Sequence, residues 1–368
     1  MSTSSDAPVS DREQRILDII EKTRARRPKF KSPNVTMAHG AGGKATQTLI
    51  EGLLVPAFDP DEAGLAVLAD SGGVKIDETG IAMTTDSFVV KPIRFPGGSI
   101  GELAVNGTVN DLAVAGAKPV AITIALILEE GLPTEVLRAE VDAIASAAVA
   151  AGVEIVAGDT KVVERGHADQ MYITTTGIGA IDPRASLSPR ALRPGDQVIV
   201  SGSIGEHGTA IMLAREEFEL DAEIESDTQP LWEAADALLG AAGPDLRCVR
   251  DATRGGVATV LNELARASGV AIIAREGDVP VRADVRGAAE ILGIDPMYVA
   301  NEGRLVAFVA PESAGAALEA LRSVPGSEGA AAIGEVKTEP IGMVLVETAF
   351  GGKRVMDLLA GDPLPRIC

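Results

Sequence analysis

The sequence predicts an α+β protein: two α/β domains in series, followed by a flexible C-terminal tail. Three observations carry this reading. Each half of the chain mixes short, β-branched apolar runs with longer segments of helical period. Between the halves lies IDPRASLSPRALRPG, residues 181–195, polar and holding three prolines, which reads as a linker. The chain ends in GDPLPRIC, where Pro363 and Pro365 disfavour helix and keep the backbone extended.

The elements follow in order. Residues 1–35 form an N-terminal extension, in which Ile16, Ile19 and Ile20 stand at helical spacing before Pro28 and Pro33 break the pattern. The first domain spans 36–180. Its strands are expected at 66–69, 81–85, 121–128, 153–158 and 171–179, and its helices at 99–116 and 134–151. The second domain spans 195–350. It opens with a strand at 197–202, followed by helices at 206–217, 231–241 and 255–268. Further strands are expected at 270–274, 304–310, 330–336 and 341–347, and a short one around Cys248. Residues 351–368 form the tail, whose last eight residues could reach about 27 Å when fully extended.

Composition narrows the function. A chain of 368 residues suits two domains, and with 3% aromatics its core must be built mainly from Val, Ile, Leu and Ala. No apolar run is long enough to span a membrane, and the first residues lack the basic-then-apolar pattern of a secretory signal, so a soluble cytoplasmic protein is expected. The net charge of −20 disfavours nucleic acid. It also repels a nucleotide triphosphate unless divalent cations bridge the two. Two cysteines exclude a disulfide scaffold. Cys248, in LRCVRDA, reads as a buried structural thiol. Cys368 is the final residue.

Four constellations could carry chemistry. The first is HGAGGKATQTLI, where His39, Gly42 and Gly43 precede a helical pattern that would suit phosphate. Its spacing is not that of a P-loop, and a purely structural turn stays open. The second is a set of carboxylates flanking apolar runs: Asp86 in TTDSFVVKP, Asp111 in VNDLAVAGAKP with Asn106 nearby, Asp159 in GDTKVVERG and Asp251 in DATRGGVATVLNE. Hard oxygens of this kind suit Mg²⁺, and each alone would also serve as a cap or turn residue. The third is Lys161 with Glu302 in NEGRL, able to stabilise charge and abstract a proton, or to form an ordinary solvated ion pair. The fourth is Cys368, whose thiol shares a residue with the α-carboxylate. That like charge raises its pKa, which fits a carrier modified by another enzyme better than a free nucleophile; an incidental residue on a frayed terminus stays open.

Taken together and in order, HGAGG, TTDSFVVKP, VNDLAVAGAKP, AGDTKVVERG, DATRGGVATVLNE, NEGRL and the terminal PRIC resemble the hydrogenase-maturation carbamoyl dehydratases, the HypE family, over residues 36–368. This family lies within the superfamily of aminoimidazole ribonucleotide synthetase and selenophosphate synthetase. The terminal PRIC is the most specific element.

The resemblance implies two domains of the aminoimidazole ribonucleotide synthetase type, the first binding ATP and forming a homodimer. It implies that the carbamoyltransferase HypF loads Cys368. ATP-dependent dehydration then turns the S-carboxamide into an S-cyanate, destined as a cyanide ligand for a nickel–iron hydrogenase through a HypC–HypD complex. It implies ATP and Mg²⁺ as cofactors. Asp86, Asp111, Asp159 and Asp251 would hold the metal, and His39, Gly42, Gly43, Asp86, Asn106 and Asp159 the nucleotide. Lys161 would stabilise charge, Glu302 would act as base, and Cys368 would carry the substrate. Two alternatives stay open: a small-molecule kinase or synthetase of the same superfamily, and a non-enzymatic thiol carrier. The tail cysteine argues against the first and the Asp motifs against the second.

Overall fold

The computed structural model describes residues 29–40, 43–58, 71–76, 79–215, 223–348, 350–359 and 367. The expected helix within 1–28, the expected strand at 66–69, Gly42 and Cys368 lie outside them.

A Gly-rich stretch leads into α1 (Lys44–Leu49), a π turn (Ile50–Leu54) and α2 (Val55–Phe58). The first sheet is built from β1 (Gly72–Ile76), β2 (Thr79–Phe88), β5 (Ala117–Glu129), β6 (Glu154–Val163) and β7 (Met171–Ile181), in the order β1-β2-β7-β5-β6. A two-stranded hairpin of β3 (Arg94–Phe95) and β4 (Gly98–Ser99) precedes α3 (Ile100–Val114). Then α4 (Thr134–Ala151) crosses over between β5 and β6, which pair in parallel. All other pairings in this sheet are antiparallel.

The second domain contributes β8 (Gln197–Val200), α5 (Glu206–Ala214), α6 (Trp232–Ala242), β9 (Leu246–Asp251) and α7 (Gly256–Ser268). It continues through β10 (Ala271–Arg275), α8 (Ala283–Leu292), β11 (Leu305–Val309), α9 (Pro311–Arg322), β12 (Ala331–Lys337), β13 (Val344–Glu347) and β14 (Lys353–Met356). Its seven strands run in the order β14-β13-β10-β12-β8-β11-β9. Residues 353–356, read from sequence as part of the tail, thus form an edge strand paired with β13.

The sequence of α3 explains how the halves join. IGELAVNGTVNDLAV is apolar on nearly every side, and thirteen of its fifteen residues are buried. A helix of this kind must be enclosed all round. Its N-terminal half shares a core with Phe88 and Ile173 of the first sheet and with Ile211, Met212, Val299 and Ala300 of the second domain. Its C-terminal end, Ala113 and Val114, packs in another core with Ile199, Leu231 and Val249. The helix lies tight against the sheet: a Cβ at Gly177 would come 2.7 Å from Thr108, and one at Gly107 2.8 Å from Phe88.

β7 alternates buried and open positions, with Met171, Ile173, Thr175 and Gly177 facing α3. The opposite face exposes Met83, Val120, Ile127 and Ile178, and β6 at the sheet edge is exposed along almost its whole length.

Candidate functional site

The seam between the domains gathers the chemistry. Asp86 lies inside β2, which runs on to Phe88, rather than after a strand ending at Thr85. By alternation it points with Ala82, Thr84 and Phe88 toward α3. Thr84 Oγ1 donates to Asp111 Oδ2 at 2.6 Å, which puts Asp111 under the same face. Asp251 closes β9, and its side chain is buried. Arg254, three residues on, brings Nη1 to 3.9 Å from Asp86 Oδ1 and so links the two domains.

Glu302 sits just before β11 and is 3% exposed. Its Oε1 has no hydrogen-bond partner among the described residues. Burial pushes its carboxyl well above the usual carboxylate range, and the carboxylates of Asp251, Asp227 and Asp86 push it further, with Arg254 opposing them. Glu302 therefore feels both Asp251 and Asp86. Such a carboxyl holds its proton tightly, and once ionised it is a stronger base than an ordinary carboxylate.

The turn that carries Glu302 is fixed by a segment the sequence reading passed over. Residues 223–231 have no regular structure, yet they thread the seam. Asp227 Oδ1 accepts from Glu302 N at 3.1 Å and its Oδ2 from Gly303 N at 3.3 Å. A Cβ at Gly303 would sit 1.8 Å from Asp227 O, so this approach admits only glycine. Asn110 Nδ2 donates to Gln229 O at 3.0 Å and to Glu302 O at 3.1 Å, while its Oδ1 accepts from Leu231 N at 2.8 Å. Asn106 is buried and donates to Thr228 Oγ1 at 3.1 Å, and its Oδ1 has no hydrogen-bond partner among the described residues.

Asp227, Asn110 and Arg254 were thus missed as site residues. For Arg254 a signal existed, since DATRGG sets it three residues after Asp251 at a glycine turn. For Asp227, in an acidic and polar stretch, no local signal existed.

Other expected residues lie elsewhere. Asp159 and Lys161 are in the middle of β6, not beyond its end. Lys161 Nζ donates to Asp159 Oδ1 at 2.9 Å and Oδ2 at 2.6 Å, and this contact lowers the Asp159 pKa. Through the register Asp159↔Ala125↔Thr174↔Ser87 the pair faces away from α3. Three strand spacings, about 14 Å, separate β6 from β2. Asp159 and Asp86 of one chain therefore cannot ligate one ion. Among the described residues no three His, Cys, Asp or Glu side chains are grouped to hold a metal by themselves.

His39 Nδ1 accepts from Thr36 N at 2.9 Å, and its ring meets Phe30 edge-on. Gly43 caps α1. That helix is tied to the far end of the second domain, Lys44 N to Leu359 O at 3.1 Å and Lys44 Nζ to Asp357 at 2.9 Å. Cys248 is a buried thiol, as its sequence setting led one to expect. No helix among the described residues is long and apolar enough to cross a membrane.

Comparison with known proteins gives this architecture relatives. Residues 66–181 match the AIR synthase related protein, N-terminal domain, and residues 193–347 its C-terminal domain. The chain is 48% identical over 346 residues to the carbamoyl dehydratase HypE of Rhodobacter capsulatus, covering 92% of this chain and 99% of that one. Among solved structures it is similar to a HypE–HypF complex (TM-score 0.80, 44% identity, 84% of this chain and 99% of the other). It is also similar to HypE in complex with ATP (TM-score 0.76, 43% identity, 91% and 100%).

Proposed function

The chain belongs to the HypE family of carbamoyl dehydratases, within the AIR synthase related proteins, and from this premise we propose how its own residues act. The reaction is ATP-dependent dehydration of the S-carboxamide on Cys368 to an S-cyanate, in the maturation of nickel–iron hydrogenases. The amide oxygen attacks the γ-phosphorus, and ADP leaves. The amide carbon–oxygen bond then breaks with phosphate as leaving group, while the nitrogen gives up both protons and C≡N forms. A poor leaving group becomes a good one at the cost of one ATP.

The observation that carries this reading is Glu302: a buried carboxyl, one oxygen of which has no hydrogen-bond partner among the described residues, within electrostatic reach of Asp251 and Asp86. It takes one of the two nitrogen protons, and the departing phosphate takes the other. Asp86 and Asp251 fit a divalent cation, because their carboxylates crowd around Glu302, with Arg254 opposing them. Magnesium needs only one or two carboxylates besides the nucleotide phosphates, and it would neutralise charge on the transferring group. Asp111, bonded to Thr84, would orient the first of these from beneath. Arg254 lies at hand for a phosphate oxygen, and Asn106 offers a buried amide oxygen to the nucleotide. His39, Gly42 and Gly43 remain assigned to the nucleotide edge.

Asp159 and Lys161 face the side of the sheet that exposes Met83, Val120, Ile127 and Ile178. An apolar patch of this kind, bordered by an open edge strand, is what a second copy would cover. In a homodimer formed there, Asp159 and Lys161 serve ATP and the carboxamide at the interface between copies. The first domain then binds ATP and dimerises, and the second closes over it. HypF is the partner that loads Cys368, the HypC–HypD complex receives the cyano group, and the protein works in the cytoplasm.

Intact-mass analysis tests this. After incubation with HypF, carbamoyl donor and ATP, the chain should gain a carbamoyl group at Cys368 and then lose one water. ATP hydrolysis with Cys368 unchanged, or the modification on Cys248, would overturn the reading.

A further inference from the structure

The second domain holds a histidine that the reaction above does not use. His207, in α5, is fully buried and meets Phe95 edge-on with ring centroids 5.5 Å apart. One ring nitrogen, Nε2, lies 2.7 Å from the carbonyl oxygen of Ile367, and the other, Nδ1, lies 2.8 Å from Ser226 Oγ. A carbonyl can only accept, so Nε2 carries the proton and donates. In the neutral ring Nδ1 must then accept, and Ser226 Oγ donates to it. Ser226 Oγ in turn accepts from Thr228 N at 3.2 Å. Burial holds the ring in this neutral form, lowering its pKa to about 4. The result is a hydrogen-bond chain with one direction, from Thr228 N–H through Ser226 and His207 to the penultimate carbonyl of the tail.

Two further facts make this more than a core contact. The side chain of Ile367 is itself buried, in the core cluster that includes Phe95, Ile211, Met212, Val299 and Ala300. And the residue after Ser226 is Asp227, which receives the backbone N–H groups of Glu302 and Gly303. The residue that orients His207 and the residue that anchors the turn of the base are consecutive, with Cα atoms about 3.8 Å apart. A second tie, Gly208 N to Ala300 O at 3.1 Å, joins α5 to the same turn.

We propose that His207 is a positioning residue for the dehydration step, gripping the Ile367 carbonyl so that the terminal residue is presented in register with Glu302. This rests on the reading of Cys368 and Glu302 given above. His207 does not touch the reacting atoms. It gives the residue before Cys368 a single seat, which raises the fraction of time the reacting groups are near each other.

The test uses full-length chain already carbamoylated on Cys368, in single turnover with ATP, with S-cyanate read by intact mass. His207→Leu removes the donor. Loss of one buried hydrogen bond predicts a rate about ten- to one-hundred-fold lower. ATP affinity by calorimetry and carbamoyl acceptance from HypF should be unchanged, and carboxypeptidase should release the terminal residues faster. His207→Gln, which can still donate an N–H, should recover most of the rate. Ser226→Ala, which leaves the ring in place but unoriented, should show the same pattern more weakly and serves if the leucine variant does not fold. Wild-type turnover and wild-type carboxypeptidase release in these variants would overturn the proposal. So would loss of ATP binding and carbamoyl acceptance together with turnover, since a purely structural role predicts that. If wild-type chain makes no S-cyanate, the functional reading fails instead, and carboxypeptidase release still decides whether His207 holds the tail.

Discussion

Asn110→Ala should loosen the seam from within. The side chain of Asn110 makes three hydrogen bonds, to Gln229 O, Glu302 O and Leu231 N, in a site closed to solvent. At about 1 kcal/mol net each, their loss costs about 3 kcal/mol. Alanine leaves two carbonyls and one N–H buried without partners, which raises the expected cost to about 3–5 kcal/mol. Trp232, the one tryptophan of the chain, follows Leu231 directly and is partly buried in the adjoining core. Its fluorescence therefore reports on this place. In urea titrations, the shift in midpoint multiplied by the m-value gives the loss. The tryptophan signal should shift by at least the amount seen in far-UV circular dichroism. A loss below about 1 kcal/mol would mean that the segment 227–231 is held by something other than Asn110, and the argument for a fixed Glu302 turn would fall with it.

Other outcomes follow from the same geometry. Glu302→Gln should bind ATP and slow S-cyanate formation by about 10²–10⁴-fold, measured in single turnover, and a wild-type rate would remove Glu302 as base. Because the folded-state pKa of Glu302 is raised, the native chain binds more protons than the unfolded one above the ordinary carboxylate range. Stability of the nucleotide-free chain should then fall with rising pH through the raised value, and Glu302→Gln should flatten that slope in urea titrations at several pH values. For His207 the sign is opposite: with a pKa lowered from 6.5 to about 4, its contribution is present above 6.5 and lost as pH falls toward 4. That loss is about 3 kcal/mol and should be absent in His207→Gln. Asp86→Asn should weaken Mg-dependent ATP binding in calorimetry, and equal ATP affinity with chelator present would count against a metal there. Cys368→Ala, or a few residues added after Cys368, should leave ATP binding intact while yielding no S-cyanate.

Much of the fold was legible because burial left a mark on the sequence. The strands near 121–128 and 171–179 and the helix near 134–151 announced themselves by alternation or by helical period. The helix at α3 was expected from 99–116, whereas its enclosure on nearly every side came only with the structure. Elements with weak periodicity stayed hidden. β3 and β4 are two residues each, and α8 and α9 lie in Ala-, Gly- and charge-rich stretches that read as little. β14 was hidden by its place in an apparent tail. The site divided in the same way. Residues in Gly- or Asp-marked turns drew notice, whereas Asp227 and His207 act through partners 75 and 160 positions away, in surroundings that no local pattern encodes.

The seat of Ile367 beside the catalytic turn has a kinetic consequence. Enzyme and substrate are one covalent molecule, so the carboxamide cannot be diluted, competed away or supplied in excess. The dehydration step is first order in loaded chain and has no saturation curve for its substrate; only ATP can be titrated. The local concentration of the terminal thiocarbamate is set by how often Ile367 is seated, and tightening that seat would speed chemistry while slowing exchange with the partners that load and unload it. Throughput over a full cycle should therefore peak at an intermediate grip, with both a looser and a firmer tail giving less cyanide per unit time.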